Sequence, residues 1–147
     1  MRRIILFAAA ALLATTPLMA QSSYMVQVLD GYTGVAIARH AVSVSIGTTP
    51  ADTKARKNIL HLYTDERGVL LMPLPNSGPT GYIQLWTGDM HACTPHPEDD
   101  AFSLAQISSK GLQAPNTCSK MAVKPTPGHF VIFLREFTAA EYAAIKK

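Results

Sequence analysis

Apolar side chains recur at every second position in a series of short runs, the period that sends alternate residues to opposite faces of a strand. Tyr24, Val26 and Val28 alternate with Met25, Gln27 and Leu29. Val42, Val44 and Ile46 alternate with Ser43, Ser45 and Gly47, the pattern of a half-buried strand. Leu60, Leu62 and Thr64 oppose Ile59, His61 and Tyr63. Residues 69–72 and 82–86 form two more runs. Residues 130–135 are apolar on both faces, which predicts a central strand. Runs of this length, separated by turn signals, predict an all-β sandwich rather than a helical or βαβ fold.

The turns have a mechanism. Asp65-Glu66-Arg67-Gly68 puts Asp where its carboxylate can accept backbone N–H groups, and Gly where a left-handed backbone is needed. This predicts a hairpin between residues 59–64 and 69–72. Asp30-Gly31-Tyr32-Thr33-Gly34 is a second turn, and Pro73, Pro75, Gly78, Pro79 and Gly81 punctuate a third. From 87 to 124 the alternation fades. That stretch holds both cysteines, an acidic run and one apolar segment, 102–107, readable as a short helix or strand. It is expected to be an irregular insertion, and long loops of this kind are usually functional or disordered. At residue 138 the period changes: Thr138-Ala139-Ala140-Glu141 is a capping box, so 138–147 is expected to be a helix. Lys146 and Lys147 suit its negative end, and Tyr142 and Ile145 are expected to pin it to the sandwich.

Several of these pieces together resemble the carboxypeptidase regulatory-like domain. Val28-Leu29-Asp30 with Thr33-Gly34, then Ile37 and Ala41-Val42-Ser43-Val44, resembles the family's opening strand, Asp-containing turn and second strand. Thr64-Asp65-Glu66-Arg67-Gly68 is similar to its Thr-Asp-x-x-Gly hairpin. Leu74-Pro75, Gly78 and Tyr82-Ile83 are similar to its leucine–proline–glycine segment and aromatic strand. The likeness covers about 25–85, roughly half of the chain after residue 20. Ala36 stands where the family usually has Pro, and His40 where Gly is common. The resemblance implies a seven-stranded Greek-key sandwich of the transthyretin-like (prealbumin-like) type. It also implies an accessory, non-catalytic role, and carbohydrate binding by analogy of fold alone. Hydroxyisourate hydrolases share that fold but end in Tyr-Arg-Gly-Ser. Here the end is Tyr142-Ala143-Ala144-Ile145-Lys146-Lys147, which gives that activity no support.

Residues 1–20 read as a Sec-type signal peptide: Arg2 and Arg3, an apolar run over 4–14, then Leu18-Met19-Ala20 before a polar Gln21. At about 1.5 Å per residue the apolar run covers roughly half of a ~30 Å hydrocarbon core, too short for an anchor. Cleavage after Ala20 is expected, with a periplasmic or secreted product and no stable membrane insertion. Gln21, not Cys, gives lipid attachment there no support. The chain carries 13 basic and 10 acidic residues; without Arg2 and Arg3 the balance is 11 against 10. Nucleic acid is therefore not an expected partner. Lys54, Arg56 and Lys57, the one local basic cluster, read as a solvated loop.

In an oxidising compartment Cys93 and Cys118 are expected to pair, closing roughly 26 residues for about 3.5 kcal/mol in the chain-entropy model. His91-x-Cys93-x-x-His96 has ligand types that suit zinc or copper, and a Cys–His pair is a nucleophile type, but a disulfide would spend the sulfur. His91 and His96 are thus weak metal or hydrolase candidates, and no cofactor is expected. Glu98-Asp99-Asp100 offers carboxylates for Ca²⁺ but reads more simply as solvated. Tyr82 and Trp86 share one face of their strand, either as core or as a sugar-stacking platform. The leading expectation is a non-catalytic envelope or secreted module with a protein or glycan partner. Glycan binding through Tyr82 and Trp86 is the alternative.

Overall fold

A computed structural model describes residues 23–96 and 99–145. The expected signal peptide, its cleavage point, Glu98, Lys146 and Lys147 lie outside them. The elements run β1 (Ser23–Asp30), β2 (Ala41–Gly47), α1 (Pro50–Lys54), β3 (Ile59–Tyr63), β4 (Val69–Pro73) and β5 (Tyr82–Trp86). They continue through β6 (Met90–Ala92), β7 (Phe102–Ser103), α2 (Leu104–Lys110), β8 (Leu112–Gln113), β9 (His129–Glu136) and α3 (Ala139–Ile145). One sheet has the order β4-β1-β9-β6, with β8 also on β9; the other is β3-β2-β5-β7. β1 and β9 run parallel, from Met25 opposite His129 to Asp30 opposite Leu134.

The alternating residues meet between the sheets. Tyr24, Val26, Val28, Phe130, Ile132 and Leu134 from the first sheet pack with Val42, Val44, Ile83 and Leu85 from the second. Leu104 and Ile107 of α2 join the same core. Removing such side chains from water stabilises the fold by about 1.5–3 kcal/mol each. Residues 130–135 are apolar on both faces for a separate reason. Val131 and Phe133 point away from the core and form a second cluster with Leu29 and Cys93, beneath Cys118, Met121 and Val123. A non-regular strap over residues 114–123 thus closes the outer face of the first sheet.

The hairpin at 64–69 explains its own motif. The Asp65 carboxylate accepts the Arg67 and Val69 N–H groups at 2.9 and 2.8 Å. Thr64 is buried: its hydroxyl donates to the Ile37 carbonyl and accepts the His40 N–H, tying the β1–β2 connection to the hairpin. Gly68 has φ +70°, and a Cβ there would sit 2.7 Å from the Val28 carbonyl oxygen. Any side chain would separate the hairpin from β1.

Four expectations change. The 87–124 stretch is not wholly irregular, since it holds α2 and the strands β6, β7 and β8, which pair into the two sheets. Strands of two or three residues are too short to show a period. The described residues accordingly hold nine strands rather than seven. The Lys54–Lys57 cluster is exposed as expected but is only partly a loop: Lys54 ends α1, and Arg56 and Lys57 lie in the turn that follows it. That helix is started by Thr49, whose hydroxyl accepts the Asp52 N–H while the Asp52 carboxylate accepts the Thr49 N–H. Finally, Tyr142 and Ile145 are not buried against the sandwich: they are 44% and 64% exposed, and no residue of α3 is buried.

Candidate functional site

Strand alternation on β5 turns Ile83 and Leu85 inward and leaves Tyr82, Gln84 and Trp86 on the outer face of the second sheet. Tyr82 and Trp86 are therefore outside the hydrophobic core. Gln84, between them, is buried and accepts a hydrogen bond from Thr53 of α1. The Arg56 guanidinium lies 4.3 Å above the Trp86 ring, a cation–π contact that covers one aromatic face. The helix and its exit thus divide the two aromatics instead of leaving a continuous platform.

Trp86 instead helps to form a groove of about 540 Å³ between the β5–β6 turn and α3. Leu85, Trp86, Thr87, Gly88, Met90, His91 and Ala92 line one side, and Phe137, Glu141, Ala144 and Ile145 the other. The pairing of β6 with β9, with His91 opposite Arg135, brings these distant stretches together. The His91 ring meets Phe137 edge-on at 5.7 Å, and Phe137 meets Tyr142 edge-on at 5.5 Å.

α3 is held over the groove by charge. Arg135 donates two hydrogen bonds to Glu141, at 2.8 and 2.6 Å, a bidentate pair. The Glu141 carboxylate also accepts the Thr138 N–H at 2.7 Å, and the Thr138 hydroxyl accepts the Glu141 N–H at 3.3 Å, completing the expected capping box. Arg135 foremost, then Thr138, holds the Glu141 carboxyl far below its ordinary value. The same pair raises the Arg135 guanidinium.

The other candidate residues do not converge. Cys93 and Cys118 form a disulfide, so neither sulfur is a thiolate ligand or nucleophile. His96 lies in the β6–β7 connection, where its carbonyl accepts the Asp99 and Asp100 N–H groups. It does not line the groove with His91. Asp99 pairs with Lys54 at 2.6 Å, which lowers its pKa. Among the described residues no three His, Cys, Asp or Glu side chains are grouped as a metal site would require. A second pocket, of about 360 Å³, is mixed: Thr48, Asp52, Lys57, Asn58, Ser77 and Thr80 contribute polar groups to it beside Ile46 and Pro75.

Phe137, Arg135 and Glu141 were not legible as site residues, because their roles depend on pairing between distant strands. α1 was legible in principle. Thr49-Pro50-Ala51-Asp52 is the same Thr-x-x-acid signature that announced α3, with Pro at the first helical position.

Comparison with protein-family models, with curated proteins and with solved structures finds no match to this chain.

Proposed function

We propose that this chain is a non-catalytic binding module of the carboxypeptidase regulatory-like type, a Greek-key sandwich of transthyretin-like form working in the periplasm or outside the cell. The formed disulfide supports an oxidising location, and among the described residues no helix is long and apolar enough to cross a membrane. The Thr64–Gly68 hairpin and the Asp30–Gly34 turn support the family reading through the hydrogen bonds their motifs make. The observation that carries the functional reading is the groove, where Trp86, His91 and Phe137 line an apolar cleft with few polar groups. Concave, mainly apolar sites with a few oriented polar groups suit ligand capture. The small polar content favours an apolar side chain of a protein partner over a sugar.

The test places a photo-crosslinking residue at Ala144, in the groove, and another at the exposed Tyr63. Products in the native envelope or secretion that form only from position 144 support the reading. Identical products, or none, refute it.

A glycan-binding second reading has a specific observation behind it, but not at Tyr82 and Trp86. The mixed pocket beside α1 offers hydroxyls, an amide and both signs of charge, the groups that sugar hydroxyls require. Binding on a glycan array that Lys57→Ala and Asn58→Ala abolish, with Trp86→Ala neutral, would favour it. A blank array would end it.

A further inference from the structure

We propose that α3 is a hinged lid over the groove, latched by the Arg135–Glu141 ion pair, and that closure of the lid is coupled to occupation of the groove. This rests on the binding reading of that groove and names how it is regulated.

Four observations support it. None of the residues of α3 is buried, so little apolar packing holds it. Ala144 and Ile145 line the groove, yet Ile145 remains 64% exposed, which leaves the apolar side of the helix incompletely covered. The helix spans Ala139–Ile145, and isolated helices shorter than about 12–15 residues are marginal in water, so its order depends on what holds it. What holds it is concentrated near its start: the Thr138 cap, the Phe137–Tyr142 ring contact and the two hydrogen bonds from Arg135. Arg135 is anchored in β9 and also donates to the Glu136 carbonyl, so it keeps its place when α3 leaves. Residues 137–138 are the hinge.

Coupling follows from the lining. A ligand that touches Trp86, Met90 and His91 on one side and Ala144 and Ile145 on the other makes more contacts with the closed form than with the open one. It therefore shifts the population toward closure, and a weakened latch must weaken binding by the same factor.

The latch is tested without any ligand, by hydrogen exchange on the full chain and by acrylamide quenching of Trp86, the sole tryptophan. In Glu141→Gln, amides of 139–145 are expected to exchange about tenfold faster, with those of β9 unchanged and Trp86 more readily quenched. Thr138→Val removes the cap hydroxyl but keeps the ion pair, and should have a smaller effect. Unchanged exchange in Glu141→Gln, equal acceleration of β9, or an effect of Thr138→Val as large as that of Glu141→Gln would each overturn the latch. An absence of groove-specific crosslinks would refute the binding reading while leaving the latch result as measured.

Discussion

Two segments lie against the sandwich from outside, and they are held in opposite ways. The strap over 114–123 has no regular secondary structure, yet it is bound at many points. The Asn116 amide donates to the carbonyls of Gly31 and Met121, and the Ser119 hydroxyl donates to Gly31. Ala114 donates its N–H to Val131, Thr117 donates to Cys93, and the disulfide closes the segment covalently. Fully buried Phe133 lies beneath it. α3 is a regular helix, but it buries none of its side chains and depends on one ion pair, one cap and one ring contact. Regular structure and firm attachment are thus separate properties. The first comes from local backbone geometry, the second from buried apolar area and satisfied polar groups.

The largest effect should come from the strap's covalent tie. Replacing both Cys93 and Cys118 by Ala should destabilise the protein by about 3.5 kcal/mol if loop entropy dominates. Urea unfolding measures the loss, and hydrogen exchange locates it: 114–123 should lose protection while 139–145 keep theirs. A loss below about 1 kcal/mol would show that the hydrogen bonds alone hold the strap.

A smaller effect sharpens the same point. Gly31 lies directly on the disulfide, and a Cβ there would be 2.5 Å from the Cys93 sulfur and 3.0 Å from the Cys118 Cβ. Gly31→Ala should therefore cost about 1–3 kcal/mol by overpacking. In the double Cys→Ala background the sulfur is gone, and the cost should fall markedly. An equal cost in both backgrounds would place the strain in the Asp30–Gly34 turn itself rather than in the strap above it.

How far each segment was legible in the sequence follows from the same physics. The disulfide could be expected from two cysteines and an N-terminus that reads as a signal peptide, and the start of α3 from the Thr138–Glu141 spacing, because both are local or pairwise features. The strap's contacts were hidden, since Asn116 and Ser119 reach Gly31 across most of the chain and no period reports such a bond. β6 and β8 were hidden by their length, although together they share one edge of β9. The outward turn of Trp86 was implicit in β5, because alternation with Ile83 and Leu85 fixes its face. What covers that face, Arg56, depended on recognising α1. The groove was the least legible feature, being made by two stretches that only the His91–Arg135 register brings together.

The smallest effect, and the most selective for α3, is its response to acid. The folded-state pKa of Glu141 lies well below its ordinary 4.5, through Arg135 first and then Thr138. A depressed carboxylate contributes fully above the unfolded-state value, and the contribution declines as pH falls below about 4.5 toward the folded-state pKa. The attachment of α3 should therefore be constant at neutral pH and weaken progressively in that acidic range. Asp30 responds in the same direction: burial opposes its ionisation, but the hydrogen bonds from Thr33 and Tyr32 outweigh it. Its turn is also gripped by Asn116 and Ser119, so the strap should persist where α3 releases. Residue-resolved NMR from pH 7 to 2 separates the two, with Glu141→Gln as the control in which the acid response of α3 disappears. If the strap and α3 were to release together in wild type, the difference between them would be one of shape and not of attachment.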